Sequence, residues 1–140
     1  MRSDPISRRS IIAGLLLVQL LPCTPVFADE VEKILFLVVE KRDVVASNTR
    51  AGRFDRLEMH AKETVRDYKV ANATAVVITN QRFSAYGAQA GGWQSKRRQA
   101  GEKVQSIEVA DYSATLVTND RILNFYGRSG TWSEIRRGVQ

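Results

Sequence analysis

The sequence contains very few of the side chains from which catalytic and metal sites are usually built. Its 140 residues include one cysteine, Cys23, and one histidine, His60. Zinc sites need three or four such ligands, and a nucleophilic side chain needs a base beside it. No Ser-His-Asp set, glycosidase carboxylate pair or phosphate-binding loop is apparent. We therefore predict a protein that is not an enzyme, with no catalytic residues, metal site or cofactor and with His60 packed or at the surface. An enzyme with an unrecognised site is the remaining alternative.

The sequence also lacks an apolar run of the length that a membrane-spanning helix requires, about 20 residues. Its short apolar run, residues 11–21, follows a positively charged start and precedes Val26-Phe27-Ala28, which has small residues at the two positions that matter for cleavage. This order is typical of a secretory signal peptide. We expect residues 1–28 to be removed and residues 29–140 to form the mature domain, which does not span a membrane and lies in the bacterial periplasm or outside the cell.

Two adjacent arginines indicate the type of signal. Arg8 and Arg9, followed one residue later by Ile11 and Ile12, resemble the twin-arginine export motif. An ordinary secretory signal whose arginines happen to be adjacent is the alternative. Lipid attachment at Cys23 is a less favoured third one, because a proline precedes the cysteine where lipoprotein signals have a small residue.

Removal of this segment takes the only cysteine with it. The mature chain then has no disulfide and no thiol, so it must rely on its core or on self-association. It also loses three arginines and one aspartate, which lowers the formal charge from +6 to +4. That charge is compatible with an anionic partner, but it is not the footprint of a nucleic-acid-binding domain. Export argues against nucleic acid as well.

Repetition is the most informative property of this sequence. Displaced by 39 positions, the chain matches itself without gaps from Ala75 onward, and a more divergent copy precedes these two. The matched pairs include Asn80 with Asn119, Arg82 with Arg121, Gly91 with Gly130 and Trp93 with Trp132, and Phe54 takes the tryptophan position in the divergent copy. The three repeats cover approximately residues 33–71, 72–110 and 111–140, which indicates one domain of repeated structural units.

Each repeat is predicted to contain four short strands. In the second repeat, residues 74–79 are apolar and β-branched, as in a strand that is buried on both faces. Asn80-Gln81 suits a two-residue hairpin, because asparagine tolerates positive φ. Residues 82–86, 93–98 and 102–110 follow as further strands. Residues 56–70 have helical propensity, but the repeat aligns them with residues that favour strands, so we predict an all-β fold.

Three antiparallel four-stranded repeats, each with a buried first strand and polar outer strands, resemble the blades of a β-propeller. The resemblance covers residues 33–140 and lies in the period and the strand pattern, since the Trp-Asp and Gly-His signatures of WD-type blades are missing. A β-trefoil is the alternative, because it also has three four-stranded repeats. Its Gln-x-Trp signature is absent here, and its chains are usually somewhat longer.

The predicted strands do not complete a ring. Propellers have at least four blades, whereas the third repeat ends here after its third strand, near Arg137, which leaves eleven strands and open edges. Open edges invite pairing with another chain. We therefore expect a homodimer that makes a six-bladed ring, with residues 30–33 of one chain supplying part of a missing strand.

Two residue types that recur in the repeats are candidates for ligand binding. Arg82 and Arg121 either bind an anion or hydrogen-bond turn carbonyls and a carboxylate such as Glu102. Trp93 and Trp132 either stack on sugars, as in propeller lectins, or pack between blades. For both pairs we favour the second interpretation, because residues present in several repeats usually serve the repeat.

Basic residues 96–98 and 136–137 lie on the polar strand of their repeats. They form either a solvated outer face or a surface for an anionic lipid headgroup or acidic polysaccharide. From the whole sequence we predict an exported, non-enzymatic binding or interaction module. A carbohydrate-binding, lectin-like propeller module is the alternative.

Overall fold

Residues 32–138 are described by a computed structural model and form eleven β-strands. The strands are β1 (Leu35–Val39), β2 (Asp43–Asn48), β3 (Arg53–Glu58), β4 (Val65–Val70), β5 (Thr74–Thr79), β6 (Arg82–Gly87), β7 (Trp93–Arg97), β8 (Val104–Val109), β9 (Ser113–Thr118), β10 (Arg121–Tyr126) and β11 (Thr131–Arg136). The segment with helical propensity forms β3 and β4, so the all-β prediction is confirmed. Across this part of the chain we find no helix that could cross a membrane.

The strands are arranged in three antiparallel sheets that stack face to face. Sheet 1 has the order β1-β2-β3, sheet 2 the order β4-β5-β6-β7, and sheet 3 the order β11-β10-β9-β8. Equivalent strands of successive sheets, such as β4 and β8 or β5 and β9, contact each other. The predicted propeller-like architecture is therefore confirmed. The β-trefoil alternative is not supported, because the strands form three separate stacked sheets.

The sheets are offset from the sequence repeats by one strand. The predicted fourth strand of the first repeat, β4, pairs with β5 of the next repeat, and β8 pairs with β9 in the same way. Three residues connect β4 to β5, whereas six residues separate it from β3. The shorter connection favours the hairpin with the following strand.

This offset corrects the prediction of which unit is incomplete. The three-stranded sheet is the first one rather than the last, and β8 completes the last sheet. By the 39-residue period, the counterpart of β4 and β8 is positions 26–31, which lie outside the described residues. Of residues 30–33, which were predicted to supply part of a missing strand, 30 and 31 lie in the same segment, and 32 and 33 belong to no strand of the described chain.

The core consists of two apolar layers, one between each pair of adjacent sheets. The layer between sheets 1 and 2 contains Leu35, Val44, Ala46, Leu57, Ala75, Val77 and Tyr86, and the layer between sheets 2 and 3 contains Val76, Ile78, Phe83, Ala85, Leu116, Leu123 and Phe125. β5 is buried at every position, as predicted for a strand that is covered on both faces. In β9 the buried positions alternate with more accessible ones. Within residues 32–138, sheets 1 and 3 are therefore each covered on one face only.

The two-residue hairpin at Asn80-Gln81 is present, but the predicted reason for its asparagine is wrong. Within residues 32–138, Lys62, with φ of +60°, is the only non-glycine residue in the positive-φ region. Asn80 instead contributes its amide, which accepts a hydrogen bond from the backbone N–H of Thr64 at 2.8 Å and donates one to the carbonyl of Lys62 at 3.0 Å. Asn119 repeats this arrangement in sheet 3. The side chain thus ties the hairpin to the preceding loop.

Candidate functional site

The repeated arginines lie at the start of β6 and β10, where each forms an ion pair with a buried glutamate. Arg121 Nε donates to Glu102 Oε1 at 2.8 Å, and its Nη2 donates to Glu102 Oε2 at 3.1 Å. Arg82 Nε makes the equivalent bond of 2.8 Å to Glu63 Oε1. The glutamate side chains are fully buried, and those of Arg82 and Arg121 are 14% and 6% exposed. Both guanidinium groups therefore already have an anionic partner inside the protein.

The same arginines also connect one sheet to the next. Arg82 Nη2 donates to the carbonyl of Glu58 at the end of sheet 1, at 2.6 Å, and Arg121 Nη2 donates to the carbonyl of Arg97 at the end of sheet 2, at 2.8 Å. Thr118 Oγ1 adds a bond of 3.0 Å to Glu102 Oε1. Each arginine thus joins a hairpin, a buried carboxylate and the neighbouring sheet.

These contacts determine the ionisation of the buried carboxylates. Burial raises the pKa of Glu102, but the hydrogen bonds from the Arg121 guanidinium, the Gln99 N–H and the Thr118 hydroxyl outweigh this effect and hold its pKa below the ordinary value. The equivalent partners lower the pKa of Glu63 against the same effect of burial. At neutral pH both glutamates are therefore ionised and neutralised by arginine, which is the state of a structural ion pair.

Sheet 1 reverses the charges of this arrangement. Asp43 occupies the position of Arg82 and Arg121, and Arg56 occupies the position of Glu134, the second carboxylate bound by Arg121. Asp43 Oδ2 lies 2.7 Å from Arg56 Nη1. The other oxygen, Oδ1, is buried and has no hydrogen-bond partner within the described residues. Sheet 1 therefore departs from the pattern that the other two sheets share.

Both candidate tryptophans pack between sheets. Trp93 Nε1 donates to the carbonyl of Asp55 in sheet 1 at 3.1 Å, and Trp132 Nε1 donates to the carbonyl of Gln94 in sheet 2 at 3.1 Å. Their ring centroids lie 5.4 Å from that of Tyr86 and 5.2 Å from that of Phe125, respectively. Phe54, the counterpart in sheet 1, is 76% exposed. Each tryptophan thus packs against the sheet that precedes its own, and these two positions are called the wedge positions below.

A polar cluster between sheets 1 and 2 could not be predicted from the sequence repeat. The buried Tyr86 hydroxyl donates to Asp55 Oδ2 at 2.5 Å and accepts a hydrogen bond from Asn48 Nδ2 at 3.1 Å. Burial and then the bond to Asp55 raise the pKa of Tyr86. The third repeat has a phenylalanine, Phe125, at the Tyr86 position, so comparing the repeats could not identify this cluster. The protonated phenol serves to bind the two sheets together.

A basic open groove lies beside the β5–β6 hairpin of sheet 2 and the loop that leads to β8. It has a volume of about 1030 Å³. It is lined by His60, Arg66, Asn80, Gln81, Arg82, Ser95, Arg97, Arg98, Gln99, Ala100, Gly101 and Glu102. The lining therefore combines four arginines and amide side chains with one carboxylate, Glu102, that is already paired.

The arginines of the groove differ in how they are used. Arg98 Nη1 donates to the carbonyl of Thr79 at 2.9 Å, and the Arg98 guanidinium lies 5.4 Å from the ring centroid of Phe83. Arg137 repeats the first contact on Thr118 in sheet 3. Within residues 32–138, Arg66 and Arg97 form no ion pair. These two side chains are exposed and are the ones that can meet a ligand.

The single histidine lies at the edge of this groove. The side chain of His60 is 62% exposed, and its Nδ1 lies 3.6 Å from Glu63 Oε2, which Arg82 also binds at 3.3 Å. No group of three or more histidine, cysteine or acidic side chains suited to a metal ion occurs in the described part of the chain.

No family model matches the chain, and no curated protein matches it. Among solved structures, the N-terminal domain of Nup159 is similar over 77% of this chain and 29% of its own, with 16% identity and a TM-score of 0.42. A chain from the S. cerevisiae complex of Dbp5 with Nup159, Gle1, IP6 and ADP is similar over 74% of this chain and 27% of its own, with 16% identity and a TM-score of 0.43. The protein thus spans less than a third of the chains it resembles.

Proposed function

We propose that the protein is an exported, non-enzymatic binding module and that its basic groove takes an anionic ligand. The observation that carries the proposal is the position of Arg66 and Arg97, two exposed guanidinium groups without ion-pair partners in the described chain, in one groove of about 1030 Å³. Guanidinium groups bind carboxylate, sulfate and phosphate oxygens by paired hydrogen bonds. Arg82, which is paired with Glu63, and Arg98, which donates to the carbonyl of Thr79, hold the walls of the groove in place.

Binding of dextran sulfate, with neutral dextran for comparison, tests this proposal. The double variant Arg66→Gln/Arg97→Gln is expected to weaken binding by at least about tenfold and to lower its salt dependence, since two charge contacts are lost. The matched control is Arg136→Gln, because Arg136 is the repeat counterpart of Arg97 and is not part of the groove lining. Equal weakening by the control, or no binding by the unmodified protein, would rule the groove out.

Lipid headgroups are the second source of such anions. Vesicles that contain phosphatidylglycerol, compared with vesicles of phosphatidylcholine alone, distinguish them from free acidic polysaccharide. Binding to dextran sulfate without binding to the anionic vesicles assigns the groove to a soluble polyanion. The opposite result assigns it to a membrane surface.

Sugar binding by Trp93 and Trp132 is the weaker candidate function. Each ring is held against the neighbouring sheet by an Nε1 hydrogen bond of 3.1 Å, so one edge of the indole is already occupied. A neutral-glycan array with Trp132→Ala as control separates the two functions. Sugar binding that this substitution abolishes, in a protein that still folds, would favour the lectin-like function over the anion groove.

We also propose export through a twin-arginine signal in residues 1–28. The supporting observation is the Arg8-Arg9 pair ahead of a short apolar run. Replacing both arginines with lysine should leave the protein in the cytoplasm, and the N-terminus of the exported protein should begin at Asp29. Unchanged export of the double-lysine variant would favour the ordinary secretory route.

Self-association completes the proposed function. The described residues form three stacked sheets, fewer than the four to eight blades that close a propeller. Two copies would supply six sheets, which falls within this range. We therefore propose a homodimer in solution, to be tested by light scattering at micromolar concentration; a stable monomer would exclude it.

A further inference from the structure

We propose that the homodimer forms head to tail, through the open face of sheet 1 on one copy and the open face of sheet 3 on the other. This inference rests on the proposed homodimer and specifies its contact surface. The seam face of sheet 1 is formed by Phe36, Val38, Val45, Ser47 and Phe54. The seam face of sheet 3 is formed by Thr115, Val117, Ile122, Asn124 and Ile135. Two such seams, related by a twofold axis, would close a ring of six sheets.

The two internal interfaces of the protein are built from one repeated set of contacts. The wedge bonds from Trp93 and Trp132 reach carbonyls 38 positions earlier in the chain, those of Asp55 and Gln94. The arginine bonds from Arg82 and Arg121 reach carbonyls 24 positions earlier. The tryptophan and arginine contacts between sheets 1 and 2 are therefore reproduced between sheets 2 and 3.

The 39-residue period also shows which internal surfaces correspond to the open faces of sheets 1 and 3. Phe36, Val38 and Phe54 are the counterparts of Ala75, Val77 and Trp93, which cover the preceding sheet. On sheet 3, Thr115, Val117, Ile122 and Asn124 are the counterparts of Val76, Ile78, Phe83 and Ala85, which cover the following sheet. The open face of sheet 1 thus corresponds to the face that, in sheet 2, packs against the preceding sheet. The open face of sheet 3 corresponds to the face that, in sheet 2, packs against the following sheet.

The exposed apolar side chains lie where this assignment requires them. On sheet 1, Phe36 is 45%, Val38 52% and Phe54 76% exposed, and on sheet 3 Ile135 is 66% exposed. Cross-strand pairing aligns Phe36, Ser47 and Phe54 in one row, and Val117, Ile122 and Ile135 in another. Large apolar side chains grouped on one face of a soluble protein mark an interaction surface.

The hairpin arginine of the internal interfaces has no counterpart at the seam. That arginine donates to the carbonyl at the end of the last strand of the preceding sheet, at Glu58 and Arg97. The hairpin position of sheet 1 is Asp43, whose carboxylate cannot donate to a carbonyl. The proposed seam therefore depends on the apolar rows of the two open faces.

Substitution of one residue on each seam face tests the inference in the protein produced from the full 140-residue chain. Phe54→Asp and Ile135→Asp each place a charge in both seams, so each variant alone should raise the Kd of the dimer by at least about a hundredfold. Both side chains are largely exposed in the single copy, so the fold should persist, as far-UV circular dichroism can verify. The matched control is Tyr68→Asp, an exposed aromatic of 48% accessibility on the central sheet, which should leave the dimer unchanged.

An equimolar mixture of Phe54→Asp and Ile135→Asp gives the decisive result. One of the two seams in a mixed dimer joins two unmodified faces, so dimers should reappear in the mixture although neither variant forms them alone. A dimer that survives both substitutions overturns the head-to-tail seam but leaves the proposed homodimer standing. An assembly of more than two copies that both substitutions leave intact overturns the seam and the homodimer. A monomeric unmodified protein overturns both the seam and the proposed homodimer.

Discussion

Among single residues, the buried Glu102–Arg121 pair has the strongest predicted effect on stability. Glu102→Gln leaves the Arg121 guanidinium buried without its main anionic partner, and we expect a loss of about 3 kcal/mol in the free energy of unfolding at pH 7. Because the folded protein lowers the pKa of Glu102, the contribution of the pair is present above the unfolded pKa, about 4.3, and is lost as the pH falls through the folded value. Chemical denaturation from pH 7 to pH 3 measures both effects.

The control for this prediction is Glu134→Gln. Glu134 binds the same arginine at 2.8 Å, but its side chain is 38% exposed, so its loss should cost less than about 1 kcal/mol. The variant Glu102→Gln should also show a flatter dependence of stability on pH than the unmodified protein. Equal losses from the two substitutions would mean that burial of Glu102 does not matter.

A second residue-scale prediction concerns Lys62, whose φ of +60° is unfavourable for a side chain with a Cβ atom. Its repeat counterpart is Gly101, with φ of +73°. Lys62→Gly removes the strain but makes the unfolded chain more flexible, and we expect a net gain of about 0.5 kcal/mol. The reverse change, Gly101→Lys, should destabilise by about 1 kcal/mol. Thermal unfolding measures the stability of both variants. If both substitutions raised the stability, the two loops would not share the same geometry.

The sequence predicts the role of some of these residues better than others. The identity of Arg82 and Arg121 across 39 positions indicated a structural arginine paired with a residue of the Glu102 type, and the structure places them so. The distinction between Arg97 and Arg98 was not predictable, because both recur in the next repeat. Only the strand geometry shows that Arg98 turns to the carbonyl of Thr79 while Arg97 points to solvent.

At the scale of elements, Gly87 at the end of β6 allows sheets 2 and 3 to approach closely. A Cβ atom at this position would lie 2.0 Å from the carbonyl oxygen of Gly127, so sheets 2 and 3 would have to separate. We expect Gly87→Ala to lower the free energy of unfolding by roughly 2–3 kcal/mol. Gly138→Ala is the control, since no atom lies within 4 Å of its added Cβ. An unchanged melting temperature for Gly87→Ala would show that the sheets can separate without cost.

Strand positions were predictable from the period, whereas sheet membership was not. The alignment of residues 56–70 with 95–109 correctly replaced a helix by two strands. The boundary of a sequence repeat can be placed at any position, however, so the alignment does not show whether β4 pairs in one sheet with β3 or with β5. The lengths of the two connections, six residues and three, carry that information, because a short connection joins neighbouring antiparallel strands.

At the scale of the whole molecule, the repeat predicted blade-like sheets but not which end is incomplete. Strand pairing resolves this point, because β4 and β8 pair with the strands that follow them. Burial shows in addition that β5 and β6 of sheet 2 are almost completely covered, whereas buried and more accessible positions alternate in β1 and β9. The open faces then correspond, by the same period, to the two halves of an internal interface. The residues that break the repeat, Phe54 and Asp43, are found on sheet 1, where no preceding sheet contacts them within the described chain.

The last prediction follows from the wedge position of Phe54. In the internal interfaces this position is a tryptophan that donates Nε1 to the preceding sheet, and by the period the acceptor at the seam would be the carbonyl of Ser133 in the other copy. Phe54→Trp should add one such bond, about 0.5–1.5 kcal/mol, in each of two seams. The Kd of the dimer should therefore fall by about fivefold or more.

Analytical ultracentrifugation over a dilution series measures this change. Phe54→Leu is the size control and should weaken the dimer, because it removes apolar contact without adding a donor. In a chain that also carries Ile135→Asp, Phe54→Trp should not tighten the dimer, because the charge on sheet 3 then prevents the two faces from packing. A Phe54→Trp variant whose dimer is no tighter than that of the unmodified protein would mean that the seam does not reproduce the internal interfaces, even if the protein is dimeric.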